Sequence, residues 1–222
     1  MIKDENKQIL IKIPDALKIV GIIGGALGIL VVLLSIIAYL PEHPNFSILT
    51  TYLSDIGDTE GWPQILFNSG TLIAAPIRYL IIVLVAFRLS ELGAGRAFVV
   101  TTLIIGFFST SGTIAMTATP FSIAPVIHKA GIGLYFLGVV CLQTLIFIKE
   151  WKLKSIPKIL PILSILVVLI FLVFATLMIL YSYGIVNRHT PVVWEWMSFL
   201  SSIIWVFAHS IVLGDKKGKY LK

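Results

Sequence analysis

Charge is what this sequence has least of. Only 13% of its 222 residues are charged, where soluble domains carry about 25%, so water is not the expected solvent for most of the chain. Cysteine is reduced to Cys141, set in an apolar run. An intrachain disulfide is therefore excluded, and the thiol reads as a small packed side chain. No H-x-x-x-H spacing and no G-x-S-x-G elbow occurs, so the usual signatures of an intramembrane zinc site and of a serine nucleophile are missing. No segment pairs clustered basic residues with aromatics on a soluble surface. The net charge of +6 thus does not point to nucleic acid.

What the chain has in abundance is apolar surface: 58% of its residues are hydrophobic. Five breaks divide this surface into six runs, at about 16–40, 64–87, 97–118, 126–148, 158–183 and 192–213. Each can cross a hydrocarbon core of about 30 Å at a rise of 1.5 Å per residue. A bilayer admits helices or closed barrels, and these runs lack a period of two. The expected fold is all-α: a polytopic integral membrane protein in which residues 1–222 form a single six-helix transmembrane domain. The first run is too long for a signal-peptide core and no A-x-A-like site follows it, and Asp4, Glu5 and Asp15 interrupt what would be its basic region, so it reads as a retained span.

Lys and Arg set the expected orientation. Lys3, Lys7, Lys12, Lys18, Arg88, Arg96, Lys149, Lys152, Lys154, Lys158, Lys216, Lys217, Lys219 and Lys222 fall on one side, against Lys129 and Arg188 on the other. The positive-inside rule then puts both termini in the cytoplasm of a cell-membrane protein. Trp62, Trp194 and Trp196 fall at the outer boundary and Trp151 at the inner one, as an aromatic belt does.

Helical spacing sorts the polar residues onto faces. The second span aligns Asn68, Thr71, Ala75 and Arg78, and the third aligns Gly106, Thr110, Thr113 and Thr117 beside Ser109 and Ser111. The fourth places His128, Tyr135 and Gln143 loosely together, and the sixth aligns Glu195, Ser198, Ser202, Trp205 and His209. Polar faces in a bilayer turn inward, so these four spans are expected to border an outward-opening polar seam. The fifth span offers almost nothing polar and is expected at the lipid-facing edge. Gly21, Gly25 and Gly28 on the first span, with Gly24, suit either close packing within the chain or a homo-oligomer contact.

The first outer loop holds Ser54, Asp55, Asp58 and Glu60 and no basic residue. Ser54 or Asp55 suits a short helix cap and Gly57 a turn. Alternatively, the acids present oxygens to a cation or a cationic head group. Asn68, about 7 Å below the surface by helix rise, either fixes this loop over the bundle or contacts a ligand. Arg78 either snorkels toward the inner interface or pairs with an anion such as a lipid phosphate, and Pro76 beside it is a candidate helix break. The candidate ligand-binding set is Ser54, Asp55, Asp58, Asn68, Arg78 and His128; a catalytic centre, if the chain has one, would use Asp55, His128 and Glu195. His43, His128 and His189 invite a metal reading, but without helical His pairing no metal and no cofactor is expected.

The strings His43-Pro44-Asn45-Phe46-Ser47, Leu53-Ser54-Asp55-Ile56-Gly57 and Phe67-Asn68-Ser69-Gly70, with Pro125 and His128, resemble a prokaryotic, archaeal-type family of six-helix membrane proteins of unknown function. Its pattern is His-Pro-x-Phe-Ser, Ser-Asp-Leu-Gly and Phe-Asn-x-Gly; Ile56 stands here in place of Leu. The Ser-Asp-x-Gly loop is more distantly similar to the DRAM/Frag/Sfk membrane proteins, several of which are associated with lipid handling. The polar seam, Arg78 and this distant likeness together point to a lipid-handling or lipid-sensing protein whose partners are membrane lipids. An intramembrane lipid hydrolase or transferase and a small transporter or channel are the competing readings, and no catalytic motif favours an enzyme.

Overall fold

Backbone amides in an apolar medium must be satisfied within their own segment, and the long apolar runs meet that demand as α-helix. The computed structural model describes residues 12–119 and 121–215. Lys3, Lys7, Lys216, Lys217, Lys219 and Lys222, with Asp4 and Glu5, lie outside the described residues. The helices are α1 (Ile13–Tyr39), α2 (Leu53–Asp58), α3 (Trp62–Glu91), α4 (Arg96–Ala118), α5 (Pro125–Lys152), α6 (Ile159–Ser182) and α7 (Val192–Leu213), and the described residues include no strand. All but α2 are long and apolar enough to cross a membrane. Pro14, Pro63 and Pro125 stand in the first turns of α1, α3 and α5, where a missing N–H leaves nothing unsatisfied.

The six long helices close a ring. α1 packs between α3 and α7, and the circuit continues through α4, α5 and α6 back to α7, while α2 lies on α3 and touches α1 and α7. Outward faces carry exposed Ile23, Ile37, Ile73, Leu137, Ile179 and Ile204, as a lipid-facing surface requires. Inside, Val85, Leu89, Ile146, Leu160, Phe171, Trp205 and Leu213 share one apolar cluster. Tyr39, Tyr52, Leu53, Ile56, Phe174, Val192 and Trp196 make a second beneath α2.

The two ends differ in charge. At one end Arg88 Nε donates to the Leu213 carbonyl at 3.0 Å, and Gly214 abuts Pro14 and Lys18, so the start of α1 meets the ends of α3 and α7. This basic end also carries Lys12, Arg96, Lys149, Lys152, Lys154 and Lys158, whereas the loop end, capped by α2, carries Lys129 and Arg188.

Glycines set the tightest contacts. A methyl group on Gly112 of α4 would stand 2.5 Å from the Tyr135 nitrogen of α5, and one on Gly131 2.6 Å from the Met116 nitrogen, so these two backbones touch. Gly21, Gly25 and Gly28 face Ser210, Phe207 and Ile203 of α7. That stripe is taken up by packing within the chain.

Four expectations need correction. Cys141 is exposed rather than packed, because Val139 and Leu142 take the inward face of α5. Trp196 is not a belt residue; it is buried, and its Nε1 donates to the Thr51 carbonyl at 2.9 Å. α3 runs unbroken through Pro76. α6 is a full member of the ring and contributes a wholly buried polar residue, Ser164, one turn into the helix.

Candidate functional site

The polar residues gather in three places. The first is the cap at the loop end. Asp55, at the third position of α2, accepts from the Tyr52 backbone N–H at 3.0 Å, and Arg188 Nη2 lies 2.7 Å from both of its oxygens. Glu195, at the start of α7, accepts from the Leu53 backbone N–H and, at 3.4 Å, from that of Ser54. Both carboxylates thus serve amides that the short helix leaves open. Tyr52 donates its hydroxyl to the Arg188 carbonyl at 2.8 Å, while the Arg188 guanidinium sits 4.9 Å from the Tyr52 ring centre. Burial pushes the Tyr52 phenol up to about 12, with a smaller contribution from the Glu195 carboxylate. The hydrogen bond to Asp55 raises Arg188 above its ordinary value.

Asn68 and Gly57 join this cap to the bundle. Asn68 Nδ2 donates to the Gly57 carbonyl at 2.9 Å. A Cβ on Gly57 would lie 2.5 Å from the Phe67 ring, so Gly57 sits within α2 as a point of close approach to α3, not as a turn. His43 stacks on Tyr39 with ring centres 4.1 Å apart, and Phe46 packs edge-on against Tyr39 and Trp196. Beside the cap lies an open cleft of about 400 Å³ bordered by Tyr39, Thr50, Thr51, Asp58 and the Asp55–Arg188 pair. Its carboxylates are already engaged, since Asp58 accepts from Ser122 at 3.1 Å.

The second cluster centres on Arg78. It stands sixteen residues after Trp62 and thirteen before Glu91 on α3, roughly 20–24 Å of helix rise from either end. Its Nη2 donates to Thr113 Oγ1 at 2.9 Å and more weakly to Ser109 Oγ at 3.3 Å, both on α4. The guanidinium also lies 4.8 Å from the Tyr135 ring centre on α5. It does not run toward the basic end: Thr113 is seventeen residues into the antiparallel α4, above the level of Arg78 itself. Nε is buried without a hydrogen-bond partner, and no Asp or Glu among the described residues pairs with the charge. Hydroxyls and a π face supply partial negative charge but no counter-ion.

The third cluster lies near the basic end. Glu150 of α5 and His209 of α7 are both fully buried, with Oε1 3.0 Å from Nε2. Ser164 donates to Glu150 Oε2 at 3.3 Å, Trp205 Nε1 donates to Ser164 Oγ at 2.9 Å, and His209 Nδ1 lies 2.9 Å from the Trp205 carbonyl.

The residues singled out from sequence are thus divided. Ser54, Asp55, Asn68 and Glu195 meet in the cap with Gly57, and Asp58 borders the neighbouring cleft. His128 turns elsewhere, its Nδ1 against the Met116 and Thr119 carbonyls at 2.8 and 2.9 Å, so it makes no polar contact with Asp55 or Glu195. The seam expected across four helices is continuous through α3, α4 and α5. The α7 serines instead bond their own helix, Ser198 to the Trp194 carbonyl and Ser202 to the Ser198 carbonyl. No group of three potential metal ligands occurs among the described residues. Glu150 and Ser164 were missed, although Glu150 follows Gln143 by seven residues, the same interval that separates Tyr135 from His128 on α5.

Residues 22–212 match a protein family described as "Protein of unknown function (DUF998)". No curated protein and no solved structure matches the chain.

Proposed function

The chain belongs to the DUF998 family, and from that premise we propose that it is a multi-pass protein of the cell membrane, both termini cytoplasmic, that handles or senses lipid by holding an anionic head group at Arg78. The observation that carries this reading is the unbalanced guanidinium. An Arg at a helix centre costs about 2.5–3.5 kcal/mol even on insertion scales, and an unpaired buried charge is strongly destabilising. Two hydroxyls and a ring offset it only in part, and the orphaned Nε is a donor still to be satisfied. A phosphate or carboxylate would supply the missing charge and accept from Nε and Nη together, the paired geometry that suits guanidinium. Buried Thr117, Thr113 and Ser109 form a hydroxyl ladder along α4 from the loop end down to Arg78, which gives the site polar neighbours on the side of the cap. The likeness of the Ser-Asp-x-Gly loop to DRAM/Frag/Sfk proteins agrees with a lipid role, and the basic residues gathered at one end support the orientation.

Native mass spectrometry of protein purified in mild detergent tests this reading. Wild type should retain an acidic phospholipid that added inorganic phosphate displaces poorly, Arg78→Ala should lose it, and Asn68→Ala, a change in the cap, should keep it. Displacement by phosphate alone would identify a free anion as the ligand. Equal retention by wild type and Arg78→Ala would remove Arg78 from the site.

A further inference from the structure

The Glu150–His209 pair lies on the far side of the bundle from the cap and takes no part in the Arg78 reading. Its hydrogen bonds have a direction that fixes how many protons it holds. An indole N–H can only donate, so Trp205 Nε1 occupies a lone pair of Ser164 Oγ, and the Ser164 hydroxyl hydrogen goes on to Glu150 Oε2. A carbonyl can only accept, so His209 Nδ1 must carry a hydrogen to bond the Trp205 carbonyl. Glu150 Oε1 and His209 Nε2 are then left over: they lie 3.0 Å apart, within ion-pair distance, and neither has a hydrogen-bond partner, so the two groups together have room for one further proton. Whether drawn as carboxylate with imidazolium or as carboxylic acid with imidazole, the pair is neutral overall, the one charge state compatible with complete burial of both side chains.

We infer that Glu150 and His209 form a buried one-proton site that latches α5 to α7, with the proton itself as ligand. Loss of the proton leaves a carboxylate oxygen facing an imidazole lone pair, two acceptors at hydrogen-bond distance and an unpaired negative charge. Gain of a second proton makes both atoms donors and leaves a positive charge. Either change removes the neutral ion-pair contact between α5 and α7, while Ser164 still ties Glu150 to Trp205. The site lies close to the basic end, two residues before Lys152 closes α5 and four before Leu213 closes α7. A short exit of the proton to that surface is thereby available.

Several of the surrounding charges are engaged elsewhere. On α3, Arg88 bonds Glu91 and the Leu213 carbonyl. Lys149 lies over the Phe98 ring of α4, and Lys158, preceding α6, bonds the Trp151 carbonyl. On α1, Lys18 packs against Gly214; Arg96 opens α4, and Asp215 follows α7. These groups are common to wild type and to a Glu150 variant, so a difference between the two isolates the pair.

Glu150→Gln is the informative substitution. Its amide can donate to His209 Nε2 and accept from Ser164, which keeps the latch but removes the exchangeable proton. Thermal unfolding of the full chain in detergent, from about pH 5 to about pH 8 where histidine pairs commonly titrate, should show a wild-type midpoint that falls toward one or both ends of the range. Glu150→Gln should lack that component. Identical pH profiles would overturn the proposal. If Glu150→Gln does not fold, wild type with isotope-labelled histidine answers by NMR, its signals assigned through His43, His128 and His189 substitutions. His209 should keep Nδ1 protonated throughout while Nε2 changes state; a proton lost from Nδ1, or no change at either nitrogen, would overturn it.

Discussion

Asn68 shows how a polar residue inside an apolar helix can serve the architecture. Its amide holds the Gly57 carbonyl, and replacing it by Ala leaves that buried acceptor unsatisfied, a loss of about 1–3 kcal/mol that chemical or thermal unfolding in detergent should record. Arg188→Ala should lower stability far less, by about 0.2–1 kcal/mol, because its ion pair with Asp55 is partly exposed. Tyr52 gives the cap a pH signature. The folded state holds its phenol proton up to about 12, against an ordinary value of about 10. Its stabilising contribution is therefore complete below the ordinary value and is lost as pH rises through the folded one. Alkaline unfolding monitored by phenolate absorbance should show this component in wild type and lose it in Tyr52→Phe. From sequence, Asp55, Asn68 and Glu195 stood out as polar residues in costly places, but not as one unit: Glu195 lies more than a hundred residues from the loop it caps. Glu150 escaped notice because it sits among Lys149, Trp151 and Lys152, where a carboxylate reads as part of a solvated helix end.

The helices themselves were legible almost throughout, since span length and apolarity are imposed by the solvent and need no tertiary information. What the runs do not encode singly is which faces meet. The stripe of Gly21, Gly25 and Gly28 was visible by its spacing, yet its partner, α7, was not. Gly112 and Gly131 carry no such spacing within one helix, since each makes sense only against the other. α6 was expected to be featureless because Ser164 alone cannot be told from ordinary interhelical packing; its buried bonds to Glu150 and Trp205 come from two other helices. At this scale, Gly131→Ala should separate α4 from α5. The inserted methyl meets backbone rather than a flexible side chain, so the loss should reach the upper part of the roughly 1–3 kcal/mol usual for overpacking. Because Ser109 and Thr113 lie on α4 and Tyr135 on α5, the same change should weaken lipid retention at Arg78. Retention unchanged in a folded Gly131→Ala protein would show that the α4–α5 contact does not shape that site.

Across the whole molecule, the ring holds ionisable groups at two depths and treats them differently. Near the basic end Glu150 and His209 neutralise each other within the chain. Midway, Arg78 is met by hydroxyls and a ring but by no opposite charge. The orientation that places the cap outside makes its own prediction. In a Cys141→Ser background, a cysteine at Ser47 should react with an impermeant thiol reagent in intact cells, and one at Ser155 only after permeabilisation; the reverse pattern would invert the protein. The account as a whole turns on the missing counter-ion, and a high-resolution structure in nanodiscs containing acidic phospholipid examines it most directly. The account predicts an acidic oxygen at about 2.7–2.9 Å from the Arg78 guanidinium, with Nε among its donors. An Arg78 that keeps Ser109 and Thr113 as its polar partners, with no anion at Nε, would contradict it.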